Sequence, residues 1–199
     1  PQGKDCDFDL LVFADGSQQA FCTLAYLRYK ISETEYKCTL LSGKTRVAPL
    51  KKISVPRIEL LGALAAVRLA ESIQNGCRLE IKRRYFFTDS SAVLGMINSE
   101  CGAFNEFVGT RLGEIKSKCN PAEEWLWLAT KENLADMGTR EDTFPKDLEP
   151  GSEYQEGKEW MAKDVTEWPT SRNPGKAPTE ELTKAAQKVM AIDDKVPLI

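Results

Sequence analysis

The apolar run Leu10-Leu11-Val12-Phe13-Ala14 predicts a buried strand over residues 8–15. A turn at Asp15-Gly16-Ser17-Gln18-Gln19 separates it from a second predicted strand, residues 20–30. After the polar turn Ser32-Glu33-Thr34 a third strand is predicted over residues 35–43, so the chain opens as an antiparallel meander. The pattern then changes period. Residues 57–74 read as a helix, with Pro56 suited to the first helical position and Glu59, Ala63, Ala66 and Ala70 on one narrow face. Residues 84–89 predict a fourth strand, followed at once by a helix from Ser90 to Ser99. The long helical connection favours a parallel pairing of this strand with an earlier one. Further on come a helix from Asn105 to Lys118, a short strand at 124–128 and a helical segment from Glu132 to Arg140. The expected fold is α/β: a mixed five-stranded sheet, three antiparallel strands and then parallel ones, flanked by helices.

After Arg140 the character shifts. Residues 141–178 are rich in Pro, Gly and acids and have little periodicity, and 179–190 predict a modest amphipathic helix. The expected division is a domain over 1–140 and an acidic, irregular extension over 141–199. Trp160 and Trp168 stand in that extension, and solvated tails rarely carry Trp, so both are expected to dock on a surface or a partner. Charge follows the same boundary. Residues 1–140 hold 19 Lys and Arg against 17 Asp and Glu, and residues 141–199 hold 8 against 13. The net charge of −3 therefore conceals a slightly basic first part and an acidic second part.

Composition excludes several classes. No apolar run approaches the roughly 18 residues needed to cross a bilayer, and no secretory pattern opens the chain. A start at Pro1, without Met, is expected of a fragment of something longer. The six cysteines form no close C-x-x-C pair and His is absent, which argues against a structural zinc site. Free thiols in an intracellular, reducing setting (cytoplasm, particle or nucleus) are expected.

Four carboxylates fall where elements begin or end. Asp15 closes the first strand, Asp89 closes the fourth, Glu59 lies just inside the long helix, and Asp136 lies on the last helical segment. If the first and fourth strands are parallel neighbours, Asp15 and Asp89 meet at their carboxyl ends, where open sheets bind ligands. Acids gathered this way suit a site with two divalent ions about 4 Å apart, each stabilising one oxygen of an in-line displacement at phosphorus. The opposing reading is that each is a solvated acid, as most are. For Glu59 it is a first-turn acid that complements the helix dipole.

Five strings sharpen the choice: Phe13-Ala14-Asp15-Gly16-Ser17, the basic stretch from Lys44 to Lys52, Pro56-Arg57-Ile58-Glu59-Leu60, Phe87-Thr88-Asp89-Ser90 and Lys131-Glu132-Asn133-Leu134-Ala135-Asp136. In this order they resemble the ribonuclease H domain of reverse transcriptases from BEL/Pao-type LTR retrotransposons, over about residues 8–140. The resemblance implies a ribonuclease H-like fold and a metal-dependent endoribonuclease that cuts the RNA strand of RNA–DNA hybrids. It implies Asp15, Glu59, Asp89 and Asp136 as catalytic ligands of two Mg2+ or Mn2+ ions. Lys44, Arg46, Lys51, Lys52 and Arg57 are candidate phosphate contacts, with a solvated loop as the alternative. The partners implied are the hybrid and a polymerase domain on an adjoining segment or another chain, with no membrane.

The chain departs from that family's pattern. Related domains often carry a His shortly before the last acid, and here Trp125-Leu126-Trp127-Leu128-Ala129-Thr130 has none. Ala129-Thr130 stands for a usual Pro-Gly, Leu134 for a usual Pro, and Gly43 for a typical Ser. These departures motivate a rival reading, a ribonuclease H-like scaffold or binding module with weak or no catalysis inside a larger nucleoprotein assembly. A DDE-type integrase core shares the fold, and the string pattern and the position of Glu59 fit it poorly.

Overall fold

A computed structural model describes residues 7–32, 35–172 and 175–187. Its centre is a mixed sheet in the order β3-β2-β1-β4-β5-β6. Strands β1 (Phe8–Gly16), β2 (Ala20–Lys30) and β3 (Tyr36–Val47) form the antiparallel meander. Helix α1 (Val55–Gly76) carries the chain over to β4 (Ile81–Thr88), which pairs parallel with β1. Helices α2 (Ser91–Asn98) and α3 (Glu106–Lys118) follow, and then β5 (Trp125–Leu128), parallel to β4.

Both faces of β1 are covered, which is why its run is apolar without alternation. Leu10, Val12 and Ala14 pack under α1–α3, together with Leu60, Leu64, Phe86 and Leu112. Leu11 and Phe13 point the other way, into a second cluster with Tyr26, Tyr85, Phe87, Trp160 and Trp168. The C-terminal extension builds that second layer. Phe87, Trp160 and Trp168 meet at ring-centroid distances of 5.5–5.7 Å, and the indole N–H of Trp160 donates to Glu132 at 3.0 Å.

A buried cation fastens this layer to the meander. Arg28, on β2, is 1% exposed. Its guanidinium donates to Asp9 at 2.7 Å and to the main-chain oxygens of Met161 and Lys163 at 2.9 and 2.7 Å. Tyr36 lies 3.4 Å from the guanidinium carbon at its ring centre.

Several expectations need correcting. The sheet has a sixth strand, β6 (Thr170–Ser171), which the extension adds antiparallel to β5. β1 runs on through Asp15 and Gly16, which the turn was expected to include. β3 extends to Val47, because Lys44, Thr45 and Arg46 pair with Thr23, Cys22 and Phe21. The segment around Asp136 is two short 3-10 turns, Thr130–Glu132 and Leu134–Gly138, broken where the side chain of Asn133 accepts from Ala135 N–H. Of the helix expected over 179–190, Thr179–Glu181 is a 3-10 turn and 184–187 is helical, while 188–190 lie outside the described residues. Cys6 also lies outside them; the described cysteines are free thiols.

The Arg28 clamp yields a prediction. Arg28→Ala leaves Asp9 buried without its counter-charge and strips two carbonyls of their donors. A loss of about 3–5 kcal/mol is expected, readable by urea unfolding. A loss below about 1 kcal/mol would mean that the clamp does not hold the second layer.

Candidate active site

The register of β1 against β4 decides where the first two carboxylates stand. Phe13 is level with Phe87. Two residues further on, each strand places an acid on the face of those two rings: Asp15 at the end of β1, and Asp89 just past β4. Helix α1 is pressed onto the same end. A Cβ on Gly16 would lie 2.7 Å from the Glu59 nitrogen, and one on Gly62 would lie 2.5 Å from the Asp15 carbonyl oxygen. Only glycine permits that approach, and it brings the first turns of α1, with Glu59, beside Asp15. Asp136 arrives on the second 3-10 turn. All four carboxylates are half-buried.

Burial is the first cause that raises the pKa of Asp15, Glu59 and Asp136. Mutual repulsion adds to it. Asp89 and Asp136 act on Asp15, Asp89 and Asp15 act on Glu59, and Asp89 acts on Asp136. The four therefore form one electrostatic group.

Each acid also has a partner of its own. The Thr139 hydroxyl donates to Asp15. Ser90 Oγ donates to Glu59 Oε2 at 2.6 Å, while accepting from Val93 N–H as the cap of α2. Asn133 Nδ2 donates to Asp89 at 3.1 Å and to the Ala14 carbonyl at 3.1 Å, tying the ends of β4 and β1 together. Arg140 pairs with Asp136. The indole N–H of Trp127 donates to the Asp89 carbonyl at 2.9 Å. Among the described residues, no three acidic or sulfur side chains are gathered closely enough to hold a metal ion.

Sequence reasoning named the acids and missed these partners. Two were visible locally: Ser90 precedes a helix as caps do, and Arg140 follows Asp136 by four residues. Asn133 and Thr139 acquire their roles only through contacts with β1, more than a hundred residues away.

The basic residues divide. Lys44 and Arg46 are exposed on β3 and, with Phe21, Leu61 and Arg68, line a cavity of about 160 Å3 against α1. Lys51 and Lys52 are exposed in the following loop. Arg57 is engaged by Glu181, its Nε 2.8 Å from one carboxylate oxygen.

Residues 1–90 match the family described as the Pao retrotransposon-like RNaseH-like domain. The RNaseH-like match includes Asp15, Glu59 and Asp89 and ends before Asp136. Among solved structures, the chain is similar to the NurA nuclease from Sulfolobus solfataricus at 13% identity and a TM-score of 0.34, over 83% of this chain and 53% of that one. The chain thus spans about half the length of that protein. No curated protein matches it.

Repulsion among the four carboxylates predicts a pH-dependent stability. A carboxylate whose pKa is raised by folding lowers stability as pH climbs from its unfolded value through its folded one. Glu59→Gln keeps the Ser90 contact and removes the charge. It is expected to melt above the wild type at pH 7, and the gap is expected to close by about pH 4, the ordinary carboxylate range. An identical gap at both pH values would exclude charge as its cause.

Proposed function

We propose that this chain is a metal-dependent endoribonuclease that cleaves the RNA strand of RNA–DNA hybrids, as the ribonuclease H part of a retroelement reverse transcriptase. One observation carries the reading. Asp15 and Asp89 stand at the adjoining ends of parallel β1 and β4, with Glu59 pressed beside them, inside the stretch that matches the Pao retrotransposon-like RNaseH-like family.

The donor type suits hard divalent ions such as Mg2+ or Mn2+, and the four carboxylates would have to draw closer than they stand to hold one. The set offers carboxylate oxygens alone, they are half-buried, and they repel one another. Bound there, two such ions would supply an activated water and a stabilised leaving oxygen. The chain's own residues supply the positioning. Asn133 holds the Asp89 carboxylate against the end of β1, Ser90 holds Glu59, and Thr139 holds Asp15. Asp136 is available as a ligand once Arg140 turns outward, and Arg140 is half-exposed on that side.

Lys44, Arg46, Lys51 and Lys52 form an exposed basic border beside the site and would take backbone phosphates. Hybrid shape and the RNA 2′-hydroxyls, rather than base sequence, would set the choice of substrate. The polymerase partner would lie on an adjoining segment or another chain, in an intracellular setting. No helix among the described residues is long and apolar enough to cross a membrane.

A second reading has its own support. Each carboxylate is occupied by a local partner and no three are gathered for a metal, as in a scaffold that retains the fold without turnover. Incubating the chain with an end-labelled RNA–DNA hybrid, with Mg2+, Mn2+ or chelator, separates the two. Metal-dependent cuts in the RNA strand are expected, and they are expected to be lost in Asp89→Asn. Asn133→Ala is expected to reduce cleavage about 10–100-fold, as for partners that orient metal ligands. An intact hybrid with folded wild type in both metals would leave the scaffold.

Phosphate contacts give a separate measurement. Lys51→Ala with Lys52→Ala is expected to weaken hybrid binding equally for unrelated sequences and to flatten its dependence on salt. An unchanged salt slope would move the nucleic acid away from this border.

A further inference from the structure

Glu181 is an acid in an acidic segment, yet its side chain is only 3% exposed. Three side chains from distant parts of the chain converge on its carboxylate. Ser54 Oγ donates at 3.0 Å, Arg57 Nε donates to the two oxygens at 2.8 and 2.9 Å, and Asn105 Nδ2 donates at 2.7 Å. Ser54 is the N-cap residue of α1, Arg57 lies in its first turn, and Asn105 caps α3. A second cation stands behind them. Arg111 lies 3.6 Å from the centre of the Phe107 ring, over which Arg57 also sits at 5.0 Å, and the buried Nε of Arg111 has no hydrogen-bond partner.

Burial works to raise the Glu181 pKa, and the hydrogen bonds from Arg57, Asn105 and Ser54 outweigh it, so the group is held below its ordinary value. The carboxylate is therefore an anion. A hydroxyl, an amide and a guanidinium are equally the donors that a phosphodiester accepts from.

The occupant belongs to the end of the chain. The segment is fastened nearby by the bridge of Leu182 to Phe104 and by Thr183 N–H to the Ala103 carbonyl at 2.8 Å. The pocket belongs to the part of the chain with the basic balance, and Glu181 to the part with the acidic one. Ser54 and Arg57 precede Glu59 by five and two residues, so the pocket and Glu59 share the N-terminal end of α1.

We propose that Glu181 is a tethered anion that closes, in cis, a site for a backbone phosphate. The segment 179–187 lifts when nucleic acid takes over Ser54, Arg57 and Asn105. The identity of the competing anion rests on the nucleic-acid reading above; the pocket and its occupant do not. Arg57, a candidate phosphate contact by sequence, then becomes available only in the opened state.

The test uses the full chain and two ligands. Hybrid affinity is measured by fluorescence anisotropy in chelator, and inorganic phosphate is titrated by calorimetry, for wild type, Glu181→Ala, Glu181→Gln and Glu181→Ala with Arg57→Ala. Glu181→Ala is expected to bind the hybrid about tenfold tighter than wild type, a factor that corresponds to one charge-assisted hydrogen bond. It is also expected to bind phosphate at concentrations where wild type does not, and Arg57→Ala is expected to cancel both gains. Glu181→Gln preserves shape and loses charge, so an intermediate gain is expected even if the alanine variant fails to fold. Phosphate bound by Glu181→Ala with no hybrid bound by any form upholds the closed anion site and removes nucleic acid as its ligand. A folded Glu181→Gln that matches wild type in both titrations overturns the proposal.

Discussion

The parallel pairing of β1 with β4 is the constraint on which the arrangement of this protein depends. A parallel pair cannot be closed by a tight turn, so the chain must cross a face of the sheet to make it. Helix α1 is that crossing. It covers Leu10, Val12 and Ala14 and returns the chain to the correct edge of β1. The same pairing leaves two strand ends side by side, both directed toward one rim, and each carries an acid. A one-residue slip between β1 and β4 would turn one of the two carboxylates to the opposite face. The stacking of Phe13 on Phe87, with centroids 4.8 Å apart, helps to fix that register from inside the second layer.

Holding like charges together costs stability, and the chain offsets that cost locally. Thr139, Ser90, Asn133 and Arg140 each bring a donor to one carboxylate. Asn133 has the widest reach, because one amide group contacts the last apolar residue of β1 and the first acid after β4. It is also the hinge between two 3-10 turns, so the position of Asp136 follows from the same side chain. In this way a single polar residue transmits the geometry of the sheet to the segment that carries the fourth acid.

Much of this was legible in the sequence where periodicity is strong. The order of strands and helices, the parallel crossing and the meeting of Asp15 with Asp89 followed from apolar runs and from where acids interrupt them. The end of β3 was hidden because an edge strand that buries little reads as a basic loop, as Lys44-Thr45-Arg46-Val47 does. The 3-10 turns around Asn133 were hidden because a segment of that length has too few residues to establish a period. Arg28 gave no signal of burial, since its partners are a strand neighbour and two carbonyls more than 130 positions away. Glu181 was hidden in the same way. A carboxylate at the end of an acidic stretch reads as solvated until the fold brings Ser54, Arg57 and Asn105 around it.

The aromatic residues have a consequence for how this molecule interacts with light. Trp160 and Trp168 lie edge-to-face at 5.5 Å in a cluster shared with Tyr85 and Phe87, close enough for their electronic transitions to couple. Trp125 is stacked on Phe86 under the helices, and Trp127 is bonded to the backbone of Asp89. The four indoles therefore fall on the two faces of the sheet: Trp125 and Trp127 against the core under the helices, and a coupled pair beneath the extension. Near-ultraviolet dichroism would register the seating of the extension. The coupled pair is thus the protein's own optical reporter for that layer.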